Sequence, residues 1–367
     1  MTEPLISVII PVGPGHRHLV GQAVASALRS SVRSIEVIVV NDSGGRIRSS
    51  DPRVRVVAAP RGPGLRPAVA RNAGLAAARG VFVVHLDADD WLLPDGLSIL
   101  LRGFAAGRRA YVYSAMYGAY ADGSPIRSNG QPVINDMLIA YDEWDYTRAN
   151  LHPITSLAPL AIWRDVGGFD AGALAWDDWT GYARLRRAGH CGEALRQPTF
   201  VYRIGAGLQH TRDNRLGADG MAATRARIVG EGWRPMPCGC GQQVMQARAV
   251  AHTAVAAGGA PPARRTSMTR ILEYIGPGVG TQTIRIGTRA YRVGRNSAYR
   301  YLSTDHTLIE DDIPELLALG VFVEVPPPPA YAPPPSPEGV VVEDSAPARR
   351  RRKSEGAEHD ESDNAAA

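Results

Sequence analysis

The sequence predicts an α/β sandwich on a mainly parallel sheet, followed by a small α+β or β-rich module and a disordered tail. Three observations carry that expectation. The runs Ile6–Ile10, Ile35–Val40 and Val81–Leu86 are almost wholly apolar and rich in β-branched residues, the pattern of strands buried on both faces. Helix-like segments alternate with them at short spacing. Each run stops at a turn or polar residue, at Pro11, Asp42 and Asp87. Sheets of this kind bind ligands beyond the carboxyl ends of their strands.

Taken in order, Pro11 to Gly15 closes the first strand, and His18–Arg29 reads as a helix with Leu19, Ala23, Ala27 and Leu28 on one side. Val54–Val57 is a short strand, and the Pro/Gly-rich loop 60–67 leads into a helix over Ala68–Arg79. Beyond the strand Val81–Leu86 come a helix over Leu97–Phe104, a strand over Tyr111–Tyr120 and a short helix over Glu143–Asn150. The apolar stretch Leu157–Trp163 is expected beneath the site, before a helix over Asp178–Ala188 and a strand over Phe200–Arg203. These elements define a domain over residues 1–235. Residues 236–267 are rich in Gly, Ala and Pro and read as a linker or a loosely ordered helix. Residues 268–326 hold two strands, Thr283–Ile286 and Ala290–Val293, then a helix over Ile309–Leu319 and a strand over Val321–Val325. They form a module of unknown role, a candidate site for a protein partner. Residues 327–367, with proline runs and then basic and acidic blocks, read as a disordered tail.

Hydrophobic content of 44% and charged content of 21% fit a soluble globular protein. Much of the net charge of +5 sits in Arg349-Arg350-Arg351-Arg352-Lys353, so no nucleic-acid partner is implied. Leu5–Val12 is too short for a signal peptide or a membrane span, and no other run approaches membrane length. Cys191, Cys238 and Cys240 cannot make a disulfide framework and read as reduced thiols, which points to the cytoplasm. Cys238-Gly239-Cys240, with His252 as a third ligand, is a metal candidate set against a plain Gly-rich turn.

The chemistry concentrates in two acidic clusters. Asp87-Ala88-Asp89-Asp90 follows a buried strand directly. Close carboxylates oppose each other's ionisation unless a cation sits between them, so the cluster reads as a site for a divalent cation and a phosphate-bearing substrate. The alternative is a helix start, where acidic side chains complement the dipole. Trp176-Asp177-Asp178-Trp179 sets carboxylates among aromatic rings, where desolvation raises a pKa toward general-base use. It equally fits a helix N-cap at Asp177 or Asp178. Arg71 is suited to balancing diphosphate charge, with Asn72 beside it in the same helical turn. Asp42 reads as a turn former or a ligand contact, and His210, after a Gly-containing loop, as a metal or phosphate contact.

Six segments in sequence, Ile6–Pro11, Glu36–Ser43, Ala70–Gly74, Leu86–Asp90, Gly167–Asp170 and Asp177–Trp179, resemble family 2 glycosyltransferases of the GT-A fold over about residues 5–215. The resemblance implies an αβα sandwich and an inverting, metal-dependent transfer of a sugar from a nucleotide-sugar, a UDP-sugar first, to a hydroxyl of a glycan, lipid or protein acceptor. It implies that Pro11, Val12, Asp42, Arg71, Asn72 and Asp87 bind the nucleotide-sugar. Asp89 and Asp87, with His210, would hold Mn²⁺ or Mg²⁺; Asp178 would be the catalytic base; and Phe169, Asp170, Asp177 and Trp179 would shape the acceptor side. The first loop, Pro11-Val12-Gly13-Pro14-Gly15, departs from the family's frequent Thr-Tyr-Asn, and Asn41 precedes Asp42 in place of a second Asp. Two rival readings stay open. A nucleotidyltransferase on a similar fold would use Gly13 and Gly15 at the first strand–helix turn, and a binding protein without turnover would serve the C-terminal module.

Overall fold

Strand β1 (Ile6–Val12) lies inside the sheet, paired with β2 (Ile35–Asn41) on one side and β5 (Phe82–His85) on the other. The computed structural model describes residues 3–60, 67–128, 131–132, 134–135, 145–148, 153–173, 176–205, 208–234, 236–239, 241–257, 271–274, 282–286, 289–293, 301–303, 312–325 and 340–343. After β1 come α1 (Val20–Leu28), β2 (Ile35–Asn41), β3 (Arg46–Ser49), β4 (Val54–Ala58), α2 (Pro67–Ala77), β5 (Phe82–His85), β6 (Trp91–Leu92), α3 (Gly96–Ala106) and β7 (Tyr111–Ala119). Then follow β8 (Arg127–Ser128), β9 (Gln131–Pro132), β10 (Ile134–Asn135), β11 (Ser156–Pro159), α4 (Leu160–Asp165), α5 (Asp177–Arg187), β12 (Gly192–Arg203), α6 (Leu208–Gly230) and α7 (Gln242–Ala257).

The main sheet has nine strands in the order β4-β2-β1-β5-β11-β7-β12-β6, with β10 paired to β7. The pairings among β4, β2, β1 and β5, and between β7 and β12, are parallel. Strands β11, β6 and β10 run antiparallel to their neighbours. The α/β class is as expected, but the sheet is mixed: the run β4-β2-β1-β5 is parallel, and antiparallel pairings enter beyond β5. Its parallel strands are apolar on both faces because helices cover both: Ile6, Val8, Ile9, Ile10, Val37, Ile38 and Val40 are buried. Each such side chain contributes about 1.5–3 kcal/mol over its exposed state. The chain steps one way from β1 to β2 and β4, then returns through α2 to β5 on the other side of β1. That reversal opens a crevice at the carboxyl ends of β1, β2 and β5.

Several expectations are corrected here. Of the two readings of residues 236–267, the helix is the one present: α7 packs Val244, Ala247 and Ala251 into the main core, so the stretch is no linker over that span. Its alanines permit close approach to α3, a signal that composition alone reports as low complexity. His210, expected on a loop, falls within α6 (Leu208–Gly230), a segment given no element from the sequence and broken at Gly217 (φ 48). Cys191 and Cys238 are joined in a disulfide, so the reading of reduced thiols fails for that pair. The 47 residues between them hid the pairing from sequence spacing. Cys238 is therefore no free metal ligand, His252 is on α7, and Cys240 lies outside the described residues. Of the stretch 143–150, only 145–148 are described, as a turn and not a helix.

Beyond α7 stand β13 (Ile271–Tyr274), β14 (Gln282–Ile286), β15 (Arg289–Val293), β16 (Tyr301–Ser303), α8 (Ile313–Ala318) and β17 (Phe322–Val325). Strands β14 and β15 form the expected hairpin, and β13 runs between β16 and β17. Leu272, Ile286, Tyr291, Ile313, Leu316 and Phe322 make a small separate core. The tail is not wholly without structure either. Strand β18 (Val340–Glu343) pairs antiparallel with β3, in the register Val340↔Ser49 to Glu343↔Arg46. Among the described residues, no helix is long and apolar enough to cross a membrane.

Candidate active site

The crevice at the carboxyl ends of β1, β2 and β5 gathers the residues singled out from the sequence. Pro11 is half-buried, whereas Val12 is fully buried and contributes to the core. The amide of Asp42 donates to the Val12 carbonyl at 3.0 Å, which ties the loop after β2 to the end of β1. Asn41 closes that loop from within: its Nδ2 donates to the Gly45 carbonyl at 2.7 Å and its Oδ1 accepts from Ser43 Oγ at 2.6 Å. Asn41 thus takes the part of a turn former, and half-buried Asp42 is presented beside it.

Strand β5 ends one residue before Leu86, and the acidic run turns sharply, with the Asp90 amide donating to the Asp87 carbonyl at 3.1 Å. The four residues do not share one role. Asp87 faces α2, where its Oδ1 accepts from Arg71 Nη2 at 2.7 Å. Asp89 Oδ2 lies 3.7 Å from His16 Nε2, on the loop after β1. Burial, and then the charge of Asp87, push the Asp89 carboxyl above its usual range. Asp90 is buried at 1% exposure and turned inward, with its Oδ1 accepting from the Arg203 amide at 2.9 Å. Burial and the two neighbouring carboxylates push Asp90 well upward. Among the described residues, no group of three or more His, Cys, Asp or Glu side chains is placed to hold a metal alone. A pair of carboxylates fits a hard divalent cation that completes its shell with water and a diphosphate. The side chain of His210 lies outside the described residues.

Arg71 joins the two acidic clusters. It rises from α2, is 5% exposed, and bonds Asp87 through Nη2 and Asp177 through Nη1. The two partners hold its guanidinium firmly charged against the cost of burial. Its charge also lies 5.7 Å from the centroid of the Phe169 ring. Helix α5 begins at Asp177, after Trp176 turns the chain in a left-handed conformation (φ 48). A bulky residue held there costs on the order of 1–3 kcal/mol, a strain found at sites where the surroundings over-determine the backbone. Neither Asp177 nor Asp178 is the N-cap; both stand in the first turn, where their charge suits the helix dipole. Burial, and then Asp177, push the Asp178 carboxyl up to about 7, against the opposing pull of Arg71.

The residues expected on the acceptor side, Phe169, Asp170, Asp177 and Trp179, are all buried and tied to neighbouring elements. Asn72 holds Phe169 by two bonds: its Nδ2 donates to the Phe169 carbonyl and its Oδ1 accepts from the Phe169 amide, each at 2.8 Å. Gly168 (φ 73) passes directly over Asn72 Oδ1, so a side chain there would collide with it. Phe169 stacks on Trp163 at 4.5 Å between centroids and meets His85 edge-on at 5.0 Å. Burial and the charge of Arg71 keep His85 neutral. Asp170 is buried and paired to Arg227 of α6, whose Nε lies 2.6 Å from Oδ2. Trp179 is buried, and its Nε1 donates to the Tyr146 carbonyl at 2.6 Å. Sequence reasoning gave no role to His16, Asn41 or Arg203. Arg203 carried the same signal as Asp87, a charged residue closing an apolar strand.

The model of the family described as "Glycosyl transferase family 2" matches residues 7–158. A chondroitin synthase of Pasteurella multocida (strain Pm70) is 33% identical over 136 residues, 35% of this chain and 14% of that protein. The succinoglycan biosynthesis protein ExoO of Rhizobium meliloti (strain 1021) is 40% identical over 98 residues, 25% of this chain and 28% of that one. The chain thus spans well under half the length of these curated relatives. Among solved structures, the mannosyltransferase PcManGT from Pyrobaculum calidifontis, in complex with GDP-Man and Mn²⁺, aligns at a TM-score of 0.46 with 16% identity, covering 73% of this chain and 77% of that one.

Proposed function

We propose that this chain, whose residues 7–158 match the family 2 glycosyltransferase model, is an inverting glycosyltransferase of GT-A type, moving a sugar from a nucleotide-sugar to an acceptor hydroxyl. The observation that supports this best is the Arg71 bridge, which puts the carboxylate at the end of β5 and the pair opening α5 in one site. A phosphate-binding crevice needs only the first; transfer to a hydroxyl also needs the base.

In this reading Asp178 accepts the proton of the acceptor hydroxyl. The freed oxygen pair forms the new bond to the anomeric carbon, from the face opposite the diphosphate. The old bond breaks toward the nucleoside diphosphate, and configuration inverts. Asp178 suits the task because its carboxyl titrates near about 7, where it is both available and basic. Asp177 is kept in place by Arg71, which leaves Asp178 as the partner with proton affinity to spare. Asp89 and Asp87 would hold Mn²⁺ or Mg²⁺, which supplies charge to the leaving diphosphate. The loop of Asp42 would read the base, for which the family resemblance supports uracil. The acceptor would be a glycan, lipid or protein hydroxyl, and residues 268–326 are assigned to a separate module that engages a protein partner.

The test is release of nucleoside diphosphate from a panel of nucleotide-sugars with Mn²⁺. One donor should be hydrolysed slowly without acceptor, and Asp89→Ala should abolish it. No thermal shift with any nucleotide would overturn the reading. Release of pyrophosphate from a nucleoside triphosphate and a sugar phosphate would replace it with nucleotidyl transfer.

A further inference from the structure

Arg203 is the last residue of β12, buried at 5% exposure, and every branch of its guanidinium is engaged. Nε donates to the Asp89 carbonyl at 2.8 Å, Nη1 to the Ala121 carbonyl at 2.9 Å, and Nη2 to Gln22 Oε1 of α1. The guanidinium lies 4.9 Å over the ring of Trp91. Its own amide donates to Asp90 Oδ1 at 2.9 Å. Gly123 (φ 85) leaves the space beside Nη1; a Cβ there would stand 3.2 Å from it. One side chain therefore fastens the acidic turn to α1, to the turn after β7 and to the end of β12.

Burying a guanidinium is costly unless its donors are met, and here they are met by the main-chain oxygens of Asp89 and Ala121 and the side-chain amide oxygen of Gln22 rather than by a carboxylate. Arg203 thus fixes the main chain of Asp89 and Asp90 while leaving the Asp89 side chain free to face His16. We propose that Arg203 is the positioning residue of the acidic turn: it acts through Asp89, aiming that carboxylate at the divalent cation and diphosphate. The inference deepens the glycosyltransferase reading and rests on it. A lysine cannot replace this residue, because an ammonium lacks the planar fork that spans Asp89, Ala121 and Gln22 together.

The experiment titrates Mn²⁺ into the full-length protein in the presence of UDP, followed by calorimetry, for the native chain, Arg203→Met, Arg203→Lys and Asp89→Asn. Arg203→Met should weaken Mn²⁺ binding by about 10–100-fold, the usual loss when an outer-shell partner is removed. UDP binding without metal should stay within about twofold, and the near-UV circular dichroism should be retained; a merely structural role would not divide the effects in this way. Where Arg203→Met does not fold, Arg203→Lys is the deciding variant and should still bind Mn²⁺ several-fold more weakly. Native Mn²⁺ affinity in a folded Arg203 variant, with Asp89→Asn weakened, overturns the positioning role alone. Native affinity in Asp89→Asn as well overturns the cation reading of the turn, and the positioning role with it.

Discussion

Asp178 is costly to keep ionised, and that cost can be measured. Its folded pKa stands near about 7 against an ordinary 3.8, so the folded state holds this proton more tightly than the unfolded state does. Stability from this group is present at low pH, falls as pH rises from about 3.8, and is fully lost above about 7. Asp178→Asn should therefore be more stable than the native chain at pH 8, on the order of a few kcal/mol, and no more stable at pH 4, by urea denaturation. The same substitution should lower kcat by about 10²–10⁴-fold, the usual worth of a general base. In the native protein kcat/KM should rise with pH through about 7, and Asp177→Asn should move that limb to lower pH, since Asp177 raises its neighbour. Of this site, the carboxylates were legible in the sequence because charge beside buried runs is costly and so conspicuous. Their division of labour was not. Asp90 turns inward to the Arg203 amide, and Asn72 spends both ends of its amide on Phe169. Only the fold decides which way such side chains point.

At the scale of elements, the pairing of β18 with β3 carries a distinct prediction. Strand β3 follows the loop that presents Asp42, and β18 covers its edge through four paired residues. Removing residues 327–367 should leave β1, β2 and β5 intact but strip β3 of that neighbour. Hydrogen exchange of the amides of residues 46–49 should then accelerate by at least about tenfold, since exposed edge groups open locally at little cost; unchanged exchange there would show that β18 is not docked in solution. Helix and strand assignments held where burial imposed a pattern, as in Ile6–Ile10 and Ile35–Val40. They failed where the partner was remote. Val340–Val342 is an ordinary strand signal, hidden among prolines, and α6 is polar and carries Gly217 in its middle.

For the molecule as a whole, the disulfide Cys191–Cys238 closes a loop that contains β12, α6 and the ends they serve. Constraining a loop of that length in the unfolded chain is worth about 2–4 kcal/mol. Reduction, or Cys191→Ser, should lower the urea-derived stability by that amount and leave the affinity for nucleotide unchanged. Strand β18 has another consequence, for the order in which the protein is made. A chain emerging from a ribosome folds its early parts first. Here β3 belongs to the first fifty residues, yet its edge is covered only when residue 343 has been synthesised. From the synthesis of β3 until that of β18, that edge beside the loop of Asp42 is an open row of hydrogen-bonding groups, available to any extended segment that passes.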